Sequence, residues 1–287
     1  MQSPSPHPEG FKPPENQIPV SIGRFQKLEF LGQGGMGKVY KAYDSTLGRY
    51  VALKVLRGDD PESAIRFSTE ARAQARIDHP YVCKVFEVGE ADGRRYIAMQ
   101  WIRGQTIKNL HSGLNLEQKI KIMRQVAEGV HAAHRAGLIH RDLKPSNIFV
   151  EQTESGEWTP YVLDFGLARE VEASGLTVTG MVIGTPAYMS PEQARGETHQ
   201  MDCRSDIYSL GVSIYELLTG KLPFEAQSAV DLILSLIHDD PISLRIRNPR
   251  IPDDLETIVM KCLEKEPDRR YASARELSED LGRFLDR

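Results

Sequence analysis

The octet His140-Arg141-Asp142-Leu143-Lys144-Pro145-Ser146-Asn147, followed at once by Ile148-Phe149-Val150, constrains this chain more than any other stretch. A proline between Asp142 and Asn147 forbids a continuous helix there. A carboxylate, a cation and an amide are therefore held on one irregular loop ahead of a β-prone run. A carboxylate suits the orientation of a hydroxyl, and an amide oxygen suits Mg²⁺, which takes oxygen ligands. Asp164-Phe165-Gly166 follows Asp142 by 22 residues, directly behind the apolar Tyr161-Val162-Leu163. A carboxylate at a strand end can ligate metal, Phe165 suits inward packing, and Gly166 lets the chain turn.

A glycine cluster lies well upstream. Gly32-Gln33-Gly34-Gly35-Met36-Gly37-Lys38-Val39 fits G-x-G-x-x-G-x-V. Such glycines let backbone N–H groups approach phosphate oxygens without Cβ clashes. A dinucleotide fold uses a similar run, but there the glycines open a helix and an acid follows about 20 residues on. Here Lys38 to Tyr43 has a strand pattern, and the residue 22 positions after Gly32 is Lys54. A hydride-transfer enzyme is thereby excluded. Lys54 stands inside the apolar Val51-Ala52-Leu53-Lys54, where an ammonium without an anionic partner is costly to bury. Phosphate oxygens together with Glu70, sixteen residues on, would serve.

The rest of the chain is organised around these motifs. Six prolines among the first 22 residues make an extended, disordered arm, with ordered patterning from about Phe25. Strand signals run to Tyr96 and include Tyr81 to Val88 and Arg95 to Met99 around a turn at Asp92-Gly93. One helix, Glu62 to Ile77, interrupts them and ends at His79-Pro80. After Gly104 the pattern is helical: Leu116–Ala136, with Gly137 where a left-handed cap is wanted, then Asp206–Thr219, Ala229–His238, Asp254–Leu263 and Ser273–Leu285. An α+β, bilobal architecture follows: arm 1–22, a small β-rich lobe 23–99 with one main helix, a hinge 100–104, and a larger helical lobe 105–287.

Composition excludes more than it assigns. At 287 residues with 36 Lys+Arg and 40 Asp+Glu, the net charge is −4, and no basic footprint for nucleic acid exists. Cys83, Cys203 and Cys262 form no CxxC pair, as expected of reduced core thiols. No run approaches the ~18 apolar residues of a membrane span. Ile207–Leu218 is interrupted by Ser209, Gly211, Ser213 and Glu216, and the N-terminus lacks an apolar signal core. A cytoplasmic location is expected, and a membrane anchor only in a longer parent chain.

Taken together, the glycine loop, the VALK lysine, HRDLKPSN, DFG and Ala187-Tyr188-Met189-Ser190-Pro191-Glu192 resemble the eukaryotic-type protein kinases over about residues 24–286. The wording from Gly184 to Gln193 is similar to that of the bacterial serine/threonine kinases. The resemblance implies ATP with Mg²⁺ or Mn²⁺ as cofactors and protein serine/threonine hydroxyls as acceptors. Asp142 would orient the hydroxyl or act as base, and Lys144 would stabilise the transferring phosphoryl group. Asn147 and Asp164 would hold metal, and Lys54, paired with Glu70, would contact the α/β-phosphates. Leu31 to Val39 would cover the nucleotide, while Val39, Ala52 and Phe149 would enclose the adenine beside Met99 and the hinge at Gln100 and Ile102. Glu192 would pair with Arg270, and Asp206 would hold the catalytic-loop backbone.

The same resemblance bears on substrate and regulation. Lys144 and Thr185 fit the serine/threonine class, whereas Thr106 and Ser146 stand where arginine-directed kinases carry glutamates. Thr177 and Thr179 match the bacterial autophosphorylation pattern, with Arg141 as the phosphate-binding cation and a homodimer for reaction in trans. Gln74 departs from the family, which packs an apolar side chain against Phe165 at that place. Either the helix loosens there or the amide is solvated. Residues 151–160 make a long surface hairpin. The rival readings are a pseudokinase that binds nucleotide as a scaffold and a small-molecule phosphotransferase of related shape. Many bacterial relatives continue into a membrane span and a sensor domain.

Overall fold

The computed structural model describes residues 19–34, 37–56, 61–110, 113–165, 186–197 and 201–287. Within α1 the side chains of residues 61–64, 66, 67 and 70 are excluded. Most of the proline arm, Gly35, Met36, the Glu70 side chain, Gly166, Thr177, Thr179 and Thr185 therefore lie outside the described residues.

Six antiparallel strands build the small lobe: β1 (Ser21–Ile22), β2 (Phe25–Gly34), β3 (Gly37–Asp44), β4 (Arg49–Leu56), β5 (Val85–Ala91) and β6 (Arg94–Gln100), in the order β1-β2-β3-β4-β6-β5. Side chains alternate between the two faces of a strand. On β4, Val51, Leu53 and Val55 accordingly pack with Phe25, Tyr40 and Tyr96 in one cluster. Ala52 turns to the other face, with Ala71, Cys83, Ile97 and Met99. The β4–β6 register sets Ala52 opposite Met99 and Lys54 opposite Ile97, so parity alone puts Lys54 on the face that carries Ala52.

The ordered fold starts earlier than the arm boundary implies. Ile22 is fully buried and β1 pairs with β2, so these two residues belong to the sheet and not to the arm. The sheet also curls until its ends meet. Gly23 N donates to the Asp92 carboxylate at 2.8 Å, and Arg24 bridges Asp44 and Glu87. A Cβ at Gly23 would lie 2.9 Å from that of Ala91, and φ there is +51°, so glycine is required at this closure.

Helix α1 (Pro61–Gln74) ends three residues before the expected Ile77. The strand expected from Tyr81 begins only at Val85. Residues 81–83 are drawn instead to the second sheet, where Cys83 N donates to Val162 O at 3.0 Å and Val162 N to Tyr81 O at 2.9 Å.

That second sheet, β7 (Gln105–Thr106), β8 (Ile148–Gln152) and β9 (Trp158–Val162), opens the large lobe. The helices are α2 (Ile107–Leu110), α3 (Leu116–Arg135), α4 (Pro191–Ala194), α5 (Cys203–Thr219), α6 (Ala229–His238), α7 (Leu244–Arg247), α8 (Asp253–Cys262) and α9 (Ala274–Leu285). Asn115 and Gln118 form a capping box at the start of α3, and Gly137 after it adopts the left-handed φ of +80°. Helix α5 is the axis of the lobe, buried from Ser205 to Tyr215. It begins three residues before the expected Asp206 because Asp202 caps it, accepting from Arg204 N at 2.8 Å. The 151–160 hairpin turns at Gly156, and its Trp158 packs against the core of the large lobe. Among the described residues, no helix is long and apolar enough to cross a membrane.

Candidate active site

Pro145–Asn147 forms a single 3-10 turn that converts the octet into a loop feeding β8. Three groups converge on it. Lys144 Nζ lies 2.8 Å from Asp142 Oδ2, and Asn147 Nδ2 donates to Asp142 O at 2.8 Å. With its nitrogen so used, the side-chain oxygen is the end of Asn147 that a cation would meet.

Beneath the loop, the fully buried Asp206 of α5 accepts from His140 N at 2.7 Å and from Arg141 N at 2.8 Å. His134 Nε2, at the end of α3, lies 2.7 Å from the same carboxylate. Burial alone would raise the Asp206 pKa. The hydrogen bond and charge of His134, with those of His140, outweigh it and hold the group below the ordinary aspartate range. Arg141 carries φ +64°, a left-handed conformation that a side chain disfavours.

The His140 ring ties the loop to the strand before Asp164. Its Nε2 sits 2.9 Å from Leu163 O, which can only accept, so this nitrogen carries the proton. Its Nδ1 then accepts from Asp142 N at 3.4 Å. Phe165 is fully buried, 4.8 Å from the imidazole between ring centroids, which is the inward packing expected of it.

From above, Lys54 reaches Asp164 Oδ1 at 2.8 Å while remaining only 8% exposed. Its anionic partner among the described residues is this carboxylate; the expected Glu70 side chain lies outside them. Lys54, Asp142, Lys144, Asn147 and Asp164 thus share one end of a cleft of about 530 Å³. Leu31, Gly32, Gln33, Val39, Ala52, Met99, Gln100, Ile102 and Phe149 line it too. Gly34, Gly37 and Lys38 lie where β2 and β3 pair beside it. A Cβ at Gly37 would fall 1.9 Å from Val55 O. Trp101, Gly104 and Leu163, which the motifs do not point to, line the same space, as does Ser146. So does His134 hold a place beneath the loop, and its signal was its position on the apolar face of α3.

An apolar slot leading to two cations and two carboxylates fits a planar base joined to a polyphosphate. The oxygen donors of Asn147 and Asp164 fit a hard divalent cation.

Gln74 is not solvated. It is 3% exposed, and its Nε2 donates to Cys83 O at 3.1 Å, clamping the end of α1 to the segment that pairs with β9. Gln74→Ala leaves that buried carbonyl without its donor, at a cost of about 1–3 kcal/mol. A lower urea midpoint with unchanged slope is expected; an unchanged midpoint would contradict the clamp. The thiol of Cys83 is pushed up to about 12 by burial, and the neighbouring Asp164 charge adds to it, so it is a packing group and not a nucleophile.

Farther along, α4 is anchored by Glu192, whose two oxygens meet Arg270 Nη1 and Nη2 at 2.8 Å each. Burial opposes ionisation of Glu192, but Arg270 and the Ser205 hydroxyl outweigh it and bring the carboxyl down to about 2. Both expected structural parts, Asp206 under the loop and Glu192 on Arg270, are therefore in place.

The protein kinase domain family model matches residues 25–281. The chain belongs to that family. It is 41% identical over 276 residues to a probable serine/threonine-protein kinase, SCO3848, of Streptomyces coelicolor, covering 92% of this chain and 40% of that protein. It is 39% identical over 272 residues to serine/threonine-protein kinase PknB of Mycobacterium tuberculosis, covering 91% and 42%. Against PrkC of Bacillus subtilis the figures are 37% over 270 residues, 92% and 41%. The chain thus spans about two-fifths of the length of these curated relatives. Among solved structures, the kinase domain of M. tuberculosis PknI superposes with a TM-score of 0.73 at 26% identity, covering 93% of this chain and 98% of that one.

Proposed function

We propose that this domain transfers the γ-phosphoryl group of ATP to serine and threonine hydroxyls of protein substrates. The observation that carries the reading is the gathering of Lys54, Asp142, Lys144, Asn147 and Asp164 in one cleft whose other lining is mainly apolar. Phosphoryl transfer asks chiefly for positioning and for stabilisation of charge, and this set supplies both.

In this reading Asp142 orients the acceptor hydroxyl and takes its proton as the new P–O bond forms and the bond to the leaving diphosphate breaks. Lys144, already paired with Asp142, balances negative charge on the group in transit. Lys54 holds the nucleotide phosphates, and Asn147 and Asp164 hold Mg²⁺ or Mn²⁺. A bound divalent cation neutralises phosphate charge that the two side-chain cations leave uncovered. Met99, Gln100 and Ile102 border the base, and Val39, Ala52 and Phe149 pack on its faces.

Catalysis requires Asp142, Lys144 and Asn147 of the octet, which sets this reading apart from a nucleotide-binding scaffold. Excess EDTA is expected to abolish transfer of ³²P from [γ-³²P]ATP to a generic protein substrate, and added Mg²⁺ to restore it. Transfer that continues in EDTA would overturn the assignment of Asn147 and Asp164.

Thr177 and Thr179 are proposed as autophosphorylation sites, with Arg141 as the cation that receives the modified segment and a homodimer as the arrangement for reaction in trans. Peptide mass analysis after incubation with ATP is expected to find phosphate at one or both. Active enzyme without phosphate between Arg169 and Met189 would sink that part.

A further inference from the structure

Arg141 is held from both sides. On the amide side, Asp206 takes its N–H at 2.8 Å. On the carbonyl side, the oxygen of Arg141 accepts from Gln193 Nε2 at 2.9 Å. The next peptide is that of Asp142, so whatever fixes the Arg141 carbonyl fixes the plane from which Asp142 projects. The conformation needs fixing, because φ is +64° at a residue that carries a side chain.

Gln193 is itself immobilised at its other end. Its Oε1 accepts from Ser190 N at 3.0 Å and from Ser190 Oγ at 3.2 Å, and its own N–H donates to Ser190 Oγ at 3.4 Å. This is a capping box at the start of α4, and the neighbouring Glu192 is locked to Arg270. The amide orientation follows from its partners: Ser190 N can only donate, and the Arg141 carbonyl can only accept. A side chain here must therefore present an acceptor to Ser190 and a donor to Arg141 at once, at the length of glutamine.

We propose that Gln193 is a positioning residue for phosphoryl transfer, linking α4, anchored through Glu192 and Arg270, to the Arg141 carbonyl and through it to Asp142. Strain or release at the Glu192–Arg270 anchor is then felt at Asp142 through one side-chain amide. The catalytic consequence rests on the kinase reading above; the link itself rests on the geometry.

Gln193→Glu separates the link from the cap. Glutamate at this position of a capping box still accepts from the Ser190 backbone, so α4 keeps its start. The donor to Arg141 is gone, replaced by an oxygen facing an oxygen. The expected result is a fall in kcat of at least about tenfold with KM for ATP unchanged and a smaller loss of Tm than in Gln193→Leu. Gln193→Leu, which loses cap and link together, should lower kcat and Tm. Amide hydrogen exchange over residues 139–144 should be faster in Gln193→Glu than in the wild type. A wild-type chain that transfers no phosphate would refute the kinase reading, and the exchange comparison would still decide the link. Wild-type kcat and wild-type exchange in Gln193→Glu would overturn the proposal and leave Gln193 as a helix cap.

Discussion

Asp142→Asn is expected to lower phosphoryl transfer by about 10²–10⁴-fold, the usual share of a positioned base. The amide keeps the shape of the carboxylate and can still accept from Lys144, which now sits 2.8 Å from Oδ2. Asn147 remains bonded to the backbone oxygen of residue 142, and Asp206 continues to hold the two preceding peptides. On the proposed reading, what disappears is the site that receives the hydroxyl proton. Steady-state rates should therefore collapse while nucleotide affinity and Tm stay at wild-type values. Transfer at the wild-type rate would remove Asp142 from the mechanism.

Arg270→Met is expected to give the largest loss of stability. It leaves the Glu192 carboxylate, 3% exposed, without its cation, and stranding a buried charge costs about 3–5 kcal/mol. Against a typical total of about 5–15 kcal/mol, that shift would dominate a urea curve. Carbonyls of Glu264, Lys265 and Arg204, which also accept from Arg270, lose their donor too. The pH dependence should report the same pair. Glu192 is held at about 2 against an ordinary value of 4.5, so the folded state binds this proton less readily than the unfolded one. The stabilisation is fully present above about 4.5 and is lost as pH falls toward 2. That gap corresponds to roughly 3 kcal/mol. The wild-type advantage over Arg270→Met should thus shrink through this acid window. An advantage that is flat with pH would contradict the ionised pair.

The site was legible because its chemistry is local in sequence. Asp142, Lys144 and Asn147 share six residues of loop, and the proline among them settles the backbone that joins them. Lys54 stands out as a cation inside an apolar run, whereas its partner Asp164, 110 residues on, is set by the fold and not by the local pattern. The pairing of Glu192 with Arg270 across the chain came from family resemblance, since nothing local in sequence joins positions 78 residues apart.

Other parts left too little local signal. Strand β1 is two residues long and follows a proline-rich stretch, so its burial depends on Phe25 and Tyr96, which pattern cannot bring to it. Residues 81–83 have strand composition, but their partner is β9 in the other lobe. Gln74 looked misplaced among apolar positions because its acceptor, the carbonyl of Cys83, is a backbone group invisible to side-chain pattern. Gln193 escaped for the same reason.

The central claim is that the charged end of the cleft transfers phosphate and does not merely hold nucleotide. Its most direct test supplies the wild-type chain with [γ-³²P]ATP, Mg²⁺ and a mixed protein substrate, followed by phosphoamino-acid analysis and a parallel nucleotide-binding titration. Label on phosphoserine and phosphothreonine is the expected result. ATP binding with no label on any hydroxyl would contradict the account and leave a nucleotide-binding scaffold in its place.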